Sequence, residues 1–258
     1  MAARSHEARL VSMSTLRASP SADALRALLR HVRPVRPLKF PGAEPDDEHL
    51  AQSRRHRNLC MALIEILRAA IGREHTLAAD QFVYFDAANP QVCLAPDAFV
   101  KIGRPDREEF DSWPTWEEGS PDVAFEVLCR DTPERWTLHE KLRRYHQLGV
   151  RELFVFDVDA APGSRLRVWD RIENDFLERI VDDERTPSAV LGLFVFVGPV
   201  RIDETDYPAC IRLSRDPEGR ERLVTRDEAL GASEDARRTA EARVAELEAE
   251  IARLRRGA

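Results

Sequence analysis

Two apolar segments that flank an amphipathic one constrain the fold of this chain more than any other feature. Residues 123–128 and 151–156 are short, apolar and rich in β-branched and aromatic side chains, which is typical of buried strands. Between them, residues 134–148 repeat apolar side chains at helical spacing, and Gly149 follows as a suitable helix end. Strands joined by a helix lie parallel in one sheet, so this region predicts a β–α–β crossover.

Further patterns place a helix and more strands around this crossover. Residues 47–71 predict a helix, and its core-facing stripe consists of Leu59, Leu63, Ile66, Leu67 and Ala70. Strand-like segments follow at 80–85, 91–94 and 97–101, and a later pair near 165–169 and 176–181 predicts a hairpin. This order predicts a mixed α/β fold whose sheet has an antiparallel part and one crossover.

The two ends of the chain differ in composition from its middle. Residues 1–44 predict a basic extension and proline-rich linker, since residues 1–39 hold eight basic and two acidic residues. Residues 226–258 predict a helical tail, which follows a connecting segment at 201–225. The net charge of the chain is −7; because residues 1–39 carry +6 and residues 226–258 carry −1, residues 40–225 carry −12. A body this acidic argues against strong non-specific binding of nucleic acid.

Apolar residues in the tail recur every three or four positions, with charged residues between them. This tail seam consists of Ala240, Val244, Leu247, Ile251 and Leu254. The repeat extends over about two and a half heptads, which is short for an independent coiled coil. It predicts either a coiled coil that joins copies of the chain into a homo-oligomer or a terminal helix that folds back on its own domain.

Cysteine spacing and hydropathy exclude several classes of protein. The four cysteines lie far apart without a CxxC motif, which argues against a disulfide-rich secreted module and a cysteine zinc site. No apolar run approaches the ~20 residues of a membrane span, so we expect a cytoplasmic protein without a membrane partner. His49, His56, His139 and His146 lack a tight metal-binding spacing, and we interpret them as surface or packing residues.

Three acidic residues near the predicted strands are candidates for a metal site. Asp97 and Asp122 each follow a proline at the head of a strand, whereas Glu126 lies inside an apolar run. Carboxylates bind hard cations such as Mg²⁺, which polarise a phosphate and activate water. Asp122 and Glu126 are ~13 Å apart along a regular strand, too far to share one ion. We therefore favour Asp97 with Glu126, and the alternative is that Glu126 pairs with an arginine.

Lysine is rare in this chain, which draws attention to where it occurs. The 39 basic residues include the three lysines Lys39, Lys101 and Lys141. Lys141 lies on or beside the inward face of the second predicted helix, where a compact ammonium group can stabilise charge on a phosphate. In the alternative interpretation, the aliphatic part of the Lys141 side chain covers the edge of the core while its ammonium group reaches water. Lys101 is a rival, because it lies on the same strand face as Asp97.

Several motifs recur here in the order and spacing of a known family. They are Ala95 to Val100, Trp113 to Gly119, Pro121 to Leu128, Glu140 to Tyr145, Leu148 to Val150 and Glu152 to Asp157. As a set they resemble the Uma-type restriction endonucleases over about residues 47–200, and we assign a nuclease-like domain to 45–200. This family is similar to the PD-(D/E)XK nuclease superfamily.

The resemblance implies a restriction-endonuclease-like αβββαβ core, DNA as substrate and Mg²⁺ as cofactor, with Mn²⁺ as an alternative. Asp97 and Glu126 would be the catalytic metal ligands. The lysine that usually follows two residues after the second acid is absent, because position 128 is leucine. Lys141 occupies the place to which this family moves its catalytic lysine.

Some positions depart from the family pattern or stay open. Cys129 replaces a common serine and Thr137 a common aspartate. The acid of the first helix is either Glu48 or Glu65, and Asp122 and Lys101 remain additional candidates. We expect a metal-dependent endonuclease, and the alternative is a non-catalytic nuclease-fold module that assembles through its helical tail.

Overall fold

The computed structural model describes residues 53–107, 110–130 and 137–257, so the predicted extension at 1–44 lies outside the described residues. The helices are α1 (Arg54–Ala70), α2 (Thr115–Glu118), α3 (Leu138–Leu148) and α4 (Arg226–Gly257). The first strands are β1 (Thr76–Ala78), β2 (Val83–Tyr84), β3 (Cys93–Leu94), β4 (Ala98–Lys101), β5 (Trp113–Pro114) and β6 (Val123–Leu128). The later ones are β7 (Glu152–Asp157), β8 (Leu166–Ile172), β9 (Asp175–Arg179), β10 (Arg185–Ser188), β11 (Leu193–Ile202) and β12 (Thr205–Ser214).

The main sheet of the described chain has the strand order β1–β4–β6–β7–β8–β9. β1, β4 and β6 pair antiparallel, and β6 pairs parallel with β7 across α3, which confirms the predicted crossover. β8 and β9 form the predicted hairpin. The core order α1, β1, β4, β6, α3, β7 is the expected αβββαβ arrangement, and the mixed α/β fold class is confirmed.

The two faces of this sheet are covered by different helices. Leu63 and Leu67 of α1 pack with Val100 and Phe125 in one buried cluster. Alternate residues of the same strands point to the other face, where Phe99, Ala124 and Leu153 pack against Tyr145 and Leu148 of α3. The end of β6 is therefore enclosed between α1 and α3.

Helix α3 has well-defined ends. The Thr137 hydroxyl accepts from the Glu140 backbone N–H at 3.3 Å, and the Glu140 carboxylate accepts from the Thr137 N–H at 2.9 Å. This reciprocal cap starts the helix. Gly149 adopts a left-handed φ of 93° and ends it, with its N–H donating to the Tyr145 carbonyl at 3.1 Å. These caps fix the position of Lys141 along the sheet.

A second sheet, β10–β11–β12, extends the domain beyond its expected boundary. Residues 201–225 were expected to form a connecting segment, but most of them belong to β12 and its hairpin with β11. The buried apolar residues of β12, namely Ala209, Cys210, Ile211 and Leu213, join the core beneath α1. Pro208 and the charged residues of this segment interrupt the alternation that would have indicated a strand.

The long helix α4 is attached to the domain at its first turn. The Arg212 guanidinium is buried and donates to both oxygens of Glu228 at 2.7 and 2.9 Å. From Ala232 onward almost every residue is exposed, including the apolar residues of the tail seam Val244, Leu247, Ile251 and Leu254. The seam thus does not fold back on the described domain, and the coiled coil stays a prediction. None of the described helices contains an apolar stretch of the length that a membrane span requires.

Candidate active site

Glu126 is a buried carboxylate inside the central strand β6. Its side chain points towards α3, because it alternates with residues that face α1. One oxygen accepts from the Lys141 ammonium at 2.6 Å, and the other accepts from the Tyr145 hydroxyl. Lys141 and Tyr145 are four residues apart on α3, so they present both donors from one helix face.

The pairing register brings Asp97 next to Glu126. Ala98 of β4 lies opposite Phe125 of β6, and continuing this antiparallel register places Asp97 opposite Glu126. One oxygen of Asp97 accepts from the Val127 backbone N–H at 2.6 Å. The structure thus brings Asp97, Glu126 and Lys141, three residues singled out from the sequence, to one end of the sheet.

The electrostatics of Glu126 follow from this enclosure. Burial raises the pKa of its carboxyl to about 7; the Lys141 ammonium opposes this rise, while nearby Asp97 adds to it. Two close carboxylates in a buried site repel each other, and a bound cation relieves that repulsion. Two carboxylates whose repulsion a cation would relieve offer oxygen ligands, which fit a hard divalent ion such as Mg²⁺ or Mn²⁺.

Two side chains of α1 approach Asp97 from the face of the sheet that α1 covers, opposite the face that α3 covers. His56 Nε2 lies 3.4 Å from Asp97 Oδ1, and Cys60 Sγ lies 3.7 Å from His56 Nδ1. All three residues are buried. Without a metal ion, burial, reinforced by Asp97, raises the pKa of the Cys60 thiol far above its usual range.

Sequence reasoning missed these two α1 residues. His56 was interpreted as a surface or packing residue, and the wide spacing of the four cysteines, Cys60 among them, argued against a cysteine zinc site. Their spacing of four residues places them on one helix face, which is the signal that could have paired them. Their meeting with Asp97 depends on how α1 lies on the sheet.

The structure places the other candidates elsewhere. Asp122 lies at the opposite end of β6, where Lys101 Nζ approaches it at 3.1 Å and the Ile102 N–H donates to it at 2.9 Å. β6 pairs without a bulge, so the strand keeps Asp122 away from Glu126. Glu65 is exposed and accepts from the Arg226 N–H at 3.1 Å, near the start of α4. Glu48 lies outside the described residues.

Comparison with known proteins adds a family relationship. The sequence model of the Uma2 family, described as "Putative restriction endonuclease", matches residues 45–193. Among solved structures, the chain is similar to a "putative nuclease belonging to DUF820" from Anabaena variabilis, at 12% identity and a TM-score of 0.40, over 54% of this chain and 75% of that one. No curated protein matches the chain in sequence. The family match includes Asp97, Glu126 and Lys141.

Proposed function

Because the chain belongs to the Uma2 restriction endonuclease family, we propose that it is a metal-dependent endonuclease that hydrolyses phosphodiester bonds of DNA. The observation that carries this is the Lys141–Glu126 pair beside Asp97 at one end of the sheet. Two carboxylates and one ammonium group are the side chains that metal-assisted phosphodiester hydrolysis requires.

We propose that Asp97 and Glu126 hold Mg²⁺, with Mn²⁺ as an alternative. A bound divalent ion would polarise the phosphate and lower the pKa of a water molecule. The Val127 N–H keeps Asp97 oriented at 2.6 Å, and the Tyr145 hydroxyl does the same for Glu126. Both acids are therefore fixed before substrate arrives, which spares the site a reorganisation during the reaction.

Lys141 supplies a positive charge to this site. Its ammonium group lies 2.6 Å from Glu126, so it partly neutralises the carboxylate pair. In the proposed reaction the same group stabilises negative charge that develops on the phosphate oxygens. A compact ammonium group fits this buried place, whereas a planar guanidinium is larger and presents a different set of donors.

The test is nicking of plasmid DNA with Mg²⁺ or Mn²⁺ by the wild-type chain and two variants. We expect Lys141→Arg and Lys141→Ala to lose ~10²-fold or more of the cleavage rate, as is typical when one stabilising donor is removed. Melting curves recorded alongside ensure that each variant is assayed while folded.

Lys101→Arg is the matched control, since Lys101 also pairs with a carboxylate but at the other end of β4. It should cleave at close to the wild-type rate. Full activity in both Lys141 variants would exclude this lysine from the reaction. A folded wild-type chain that cleaves no DNA with either metal would contradict the proposed activity.

A second candidate function is a non-catalytic nuclease-fold module that assembles through α4. The exposed tail seam favours it, since four large apolar side chains of one helix are 42–62% exposed. The acidic charge of residues 40–225 also favours it, because a DNA groove normally needs a basic lining. In this case a second copy of the chain would cover the seam.

A double variant, Leu247→Glu with Ile251→Glu, tests this assembly. It places charges on the seam but keeps Glu228, which holds α4 to Arg212. We expect the solution mass from light scattering to fall to that of one chain while the melting transition persists. Arg243→Glu, which changes an exposed charged residue of the same helix, is the control and should keep the mass. An unchanged mass in the double variant would contradict assembly through α4.

We also propose that the protein resides in the cytoplasm. No disulfide joins its four cysteines, all of which lie among the described residues, and three of them, Cys60, Cys129 and Cys210, are buried. Cysteines that form no disulfide are typical of proteins in a reducing compartment.

A further inference from the structure

His56, Cys60 and Asp97 form a buried cluster, of which the proposed reaction uses Asp97 but neither His56 nor Cys60. One ligand atom from each residue lies within 4.8 Å of the other two. His56 and Cys60 come from one face of α1, and Asp97 comes from the segment that enters β4. The cluster offers nitrogen, sulfur and oxygen ligands at a single point.

The distances within this cluster suit a tetrahedral metal ion. Zinc bonds of about 2.0–2.3 Å at tetrahedral angles separate a nitrogen from an oxygen ligand by about 3.3 Å, and from a sulfur ligand by about 3.6 Å. His56 Nε2 lies 3.4 Å from Asp97 Oδ1 and 3.8 Å from Cys60 Sγ. Cys60 Sγ and a carboxylate oxygen of Asp97 lie within 4.8 Å of each other, so side-chain movements of about 1 Å would bring all three ligand atoms onto one ion.

We propose that His56, Cys60 and Asp97 bind a transition-metal ion of the zinc class, and that its fourth position is open. Three protein ligands with one open position are typical of catalytic zinc sites, whereas structural sites use four. This site shares Asp97 with the proposed Mg²⁺ site and so deepens the proposed function. A role of this site in the reaction rests on the proposed function, whereas metal binding by the three residues does not.

The ligand chemistry selects the class of ion. A thiolate and an imidazole are soft and borderline ligands, which favour Zn²⁺ or Co²⁺ over Mg²⁺. The 2.6 Å hydrogen bond from the Val127 N–H to Asp97 Oδ2 leaves Oδ1 directed to His56. Such outer hydrogen bonds orient metal ligands and increase their affinity.

Cobalt is a suitable probe, because a cobalt–thiolate bond absorbs in the near ultraviolet and tetrahedral Co²⁺ gives intense visible bands. The full chain, stripped of metals with a chelator, is titrated with Co²⁺ in the absence of DNA. We expect one equivalent to bind with both signals, and Zn²⁺ to displace it. Mg²⁺ in large excess should leave the spectrum unchanged.

Variants identify the ligands. Cys60→Ala should abolish the thiolate band, and His56→Gln should weaken Co²⁺ binding by ~10-fold or more. Cys210→Ala is the matched control, since it removes a thiol that is equally buried but lies on β12. Circular dichroism verifies the fold of each variant, and Cys60→Ser replaces Cys60→Ala if the latter unfolds.

The outcomes separate this site from the proposed function. Co²⁺ binding without a thiolate band, or a band that survives in folded Cys60→Ala, would overturn the site but leave Asp97 and Glu126 as an oxygen-ligand pair. A folded wild-type chain that binds no Co²⁺ would overturn it as well. A thiolate band that depends on Cys60, in a chain that cleaves no DNA, would support the site and contradict the nuclease activity.

Discussion

Two lysine–carboxylate pairs lie at opposite ends of strands β4 and β6, and they differ in enclosure. In the pair Lys101–Asp122, the two side chains are 22% and 13% exposed and lie 3.1 Å apart. In the pair Lys141–Glu126, they are 11% and 3% exposed and lie 2.6 Å apart. The antiparallel register places Lys101 beside Asp122 and Asp97 beside Glu126.

The surroundings explain why two similar pairs are expected to act differently. Asp122 also accepts from the Ile102 N–H, and its Oδ1 lies 3.6 Å from Arg151 Nη1, so donors surround a single carboxylate at the start of β6. Glu126 instead shares its enclosed site with the carboxylate of Asp97. The first arrangement stabilises a turn, whereas the second concentrates negative charge where a cation can bind. Burial and a second acid, rather than the ion pair itself, mark the candidate site.

The largest effect is expected on metal binding. Mn²⁺ should raise the melting temperature of the wild-type chain, because an ion that binds the native state stabilises it. Asp97→Asn should abolish that shift, and Asp122→Asn should leave most of it. Differential scanning fluorimetry with and without Mn²⁺ measures both. If both variants lose the Mn²⁺-dependent rise in melting temperature equally, metal binding does not distinguish the Asp97 end of the sheet from the Asp122 end.

A smaller effect is expected on stability. Lys141→Met removes one partner of a buried ion pair, which typically costs about 3–5 kcal/mol. Lys101→Met removes a more exposed partner and should cost about 1 kcal/mol or less. Urea unfolding at pH 8 gives both free energies. If the cost for Lys101→Met reaches that for Lys141→Met, the difference in burial does not govern the two pairs.

A third effect is a dependence of stability on pH, which comes from the carboxyl group of Glu126. The folded chain holds the pKa of Glu126 near 7, above the ordinary value of 4.5, so the folded state binds its proton more tightly than the unfolded state. The contribution of Glu126 to the stability of the wild-type chain therefore falls as pH rises from about 4.5 to 7. Glu126→Gln does not titrate, so its free energy of unfolding relative to wild type should increase across this window. Urea unfolding at pH 5 and pH 8, with a chelator present, measures it, and a constant difference would contradict the raised pKa.

The sequence predicted those parts of the fold and site that depend on local periodicity. The strand spacing of two residues separated Asp122 from Glu126, and the helical spacing turned Lys141 towards the sheet. The β–α–β crossover followed from strand, helix and strand in succession. These inferences need only the order and phase of neighbouring elements.

What the sequence did not predict depends on contacts between distant segments. His56 and Cys60 meet Asp97 because α1 packs on the sheet at a particular rotation, which no local pattern specifies. β12 was missed because it is stabilised by β11 and covered by α1, while its own sequence lacks strand alternation. The sequence also did not predict a role for the Tyr145 hydroxyl, which donates to Glu126 because α3 packs over β6.

The attachment of α4 has a mechanical consequence. This helix has 32 residues, and a helix of that length is about 48 Å long. Its described contacts to the domain lie at the first turn, around the Arg212–Glu228 pair. It therefore acts as a lever arm, because a tilt of about 10° at this joint displaces the far end by about 8 Å. The packing of a few side chains around Arg212 thus sets where the tip of α4 lies relative to the domain.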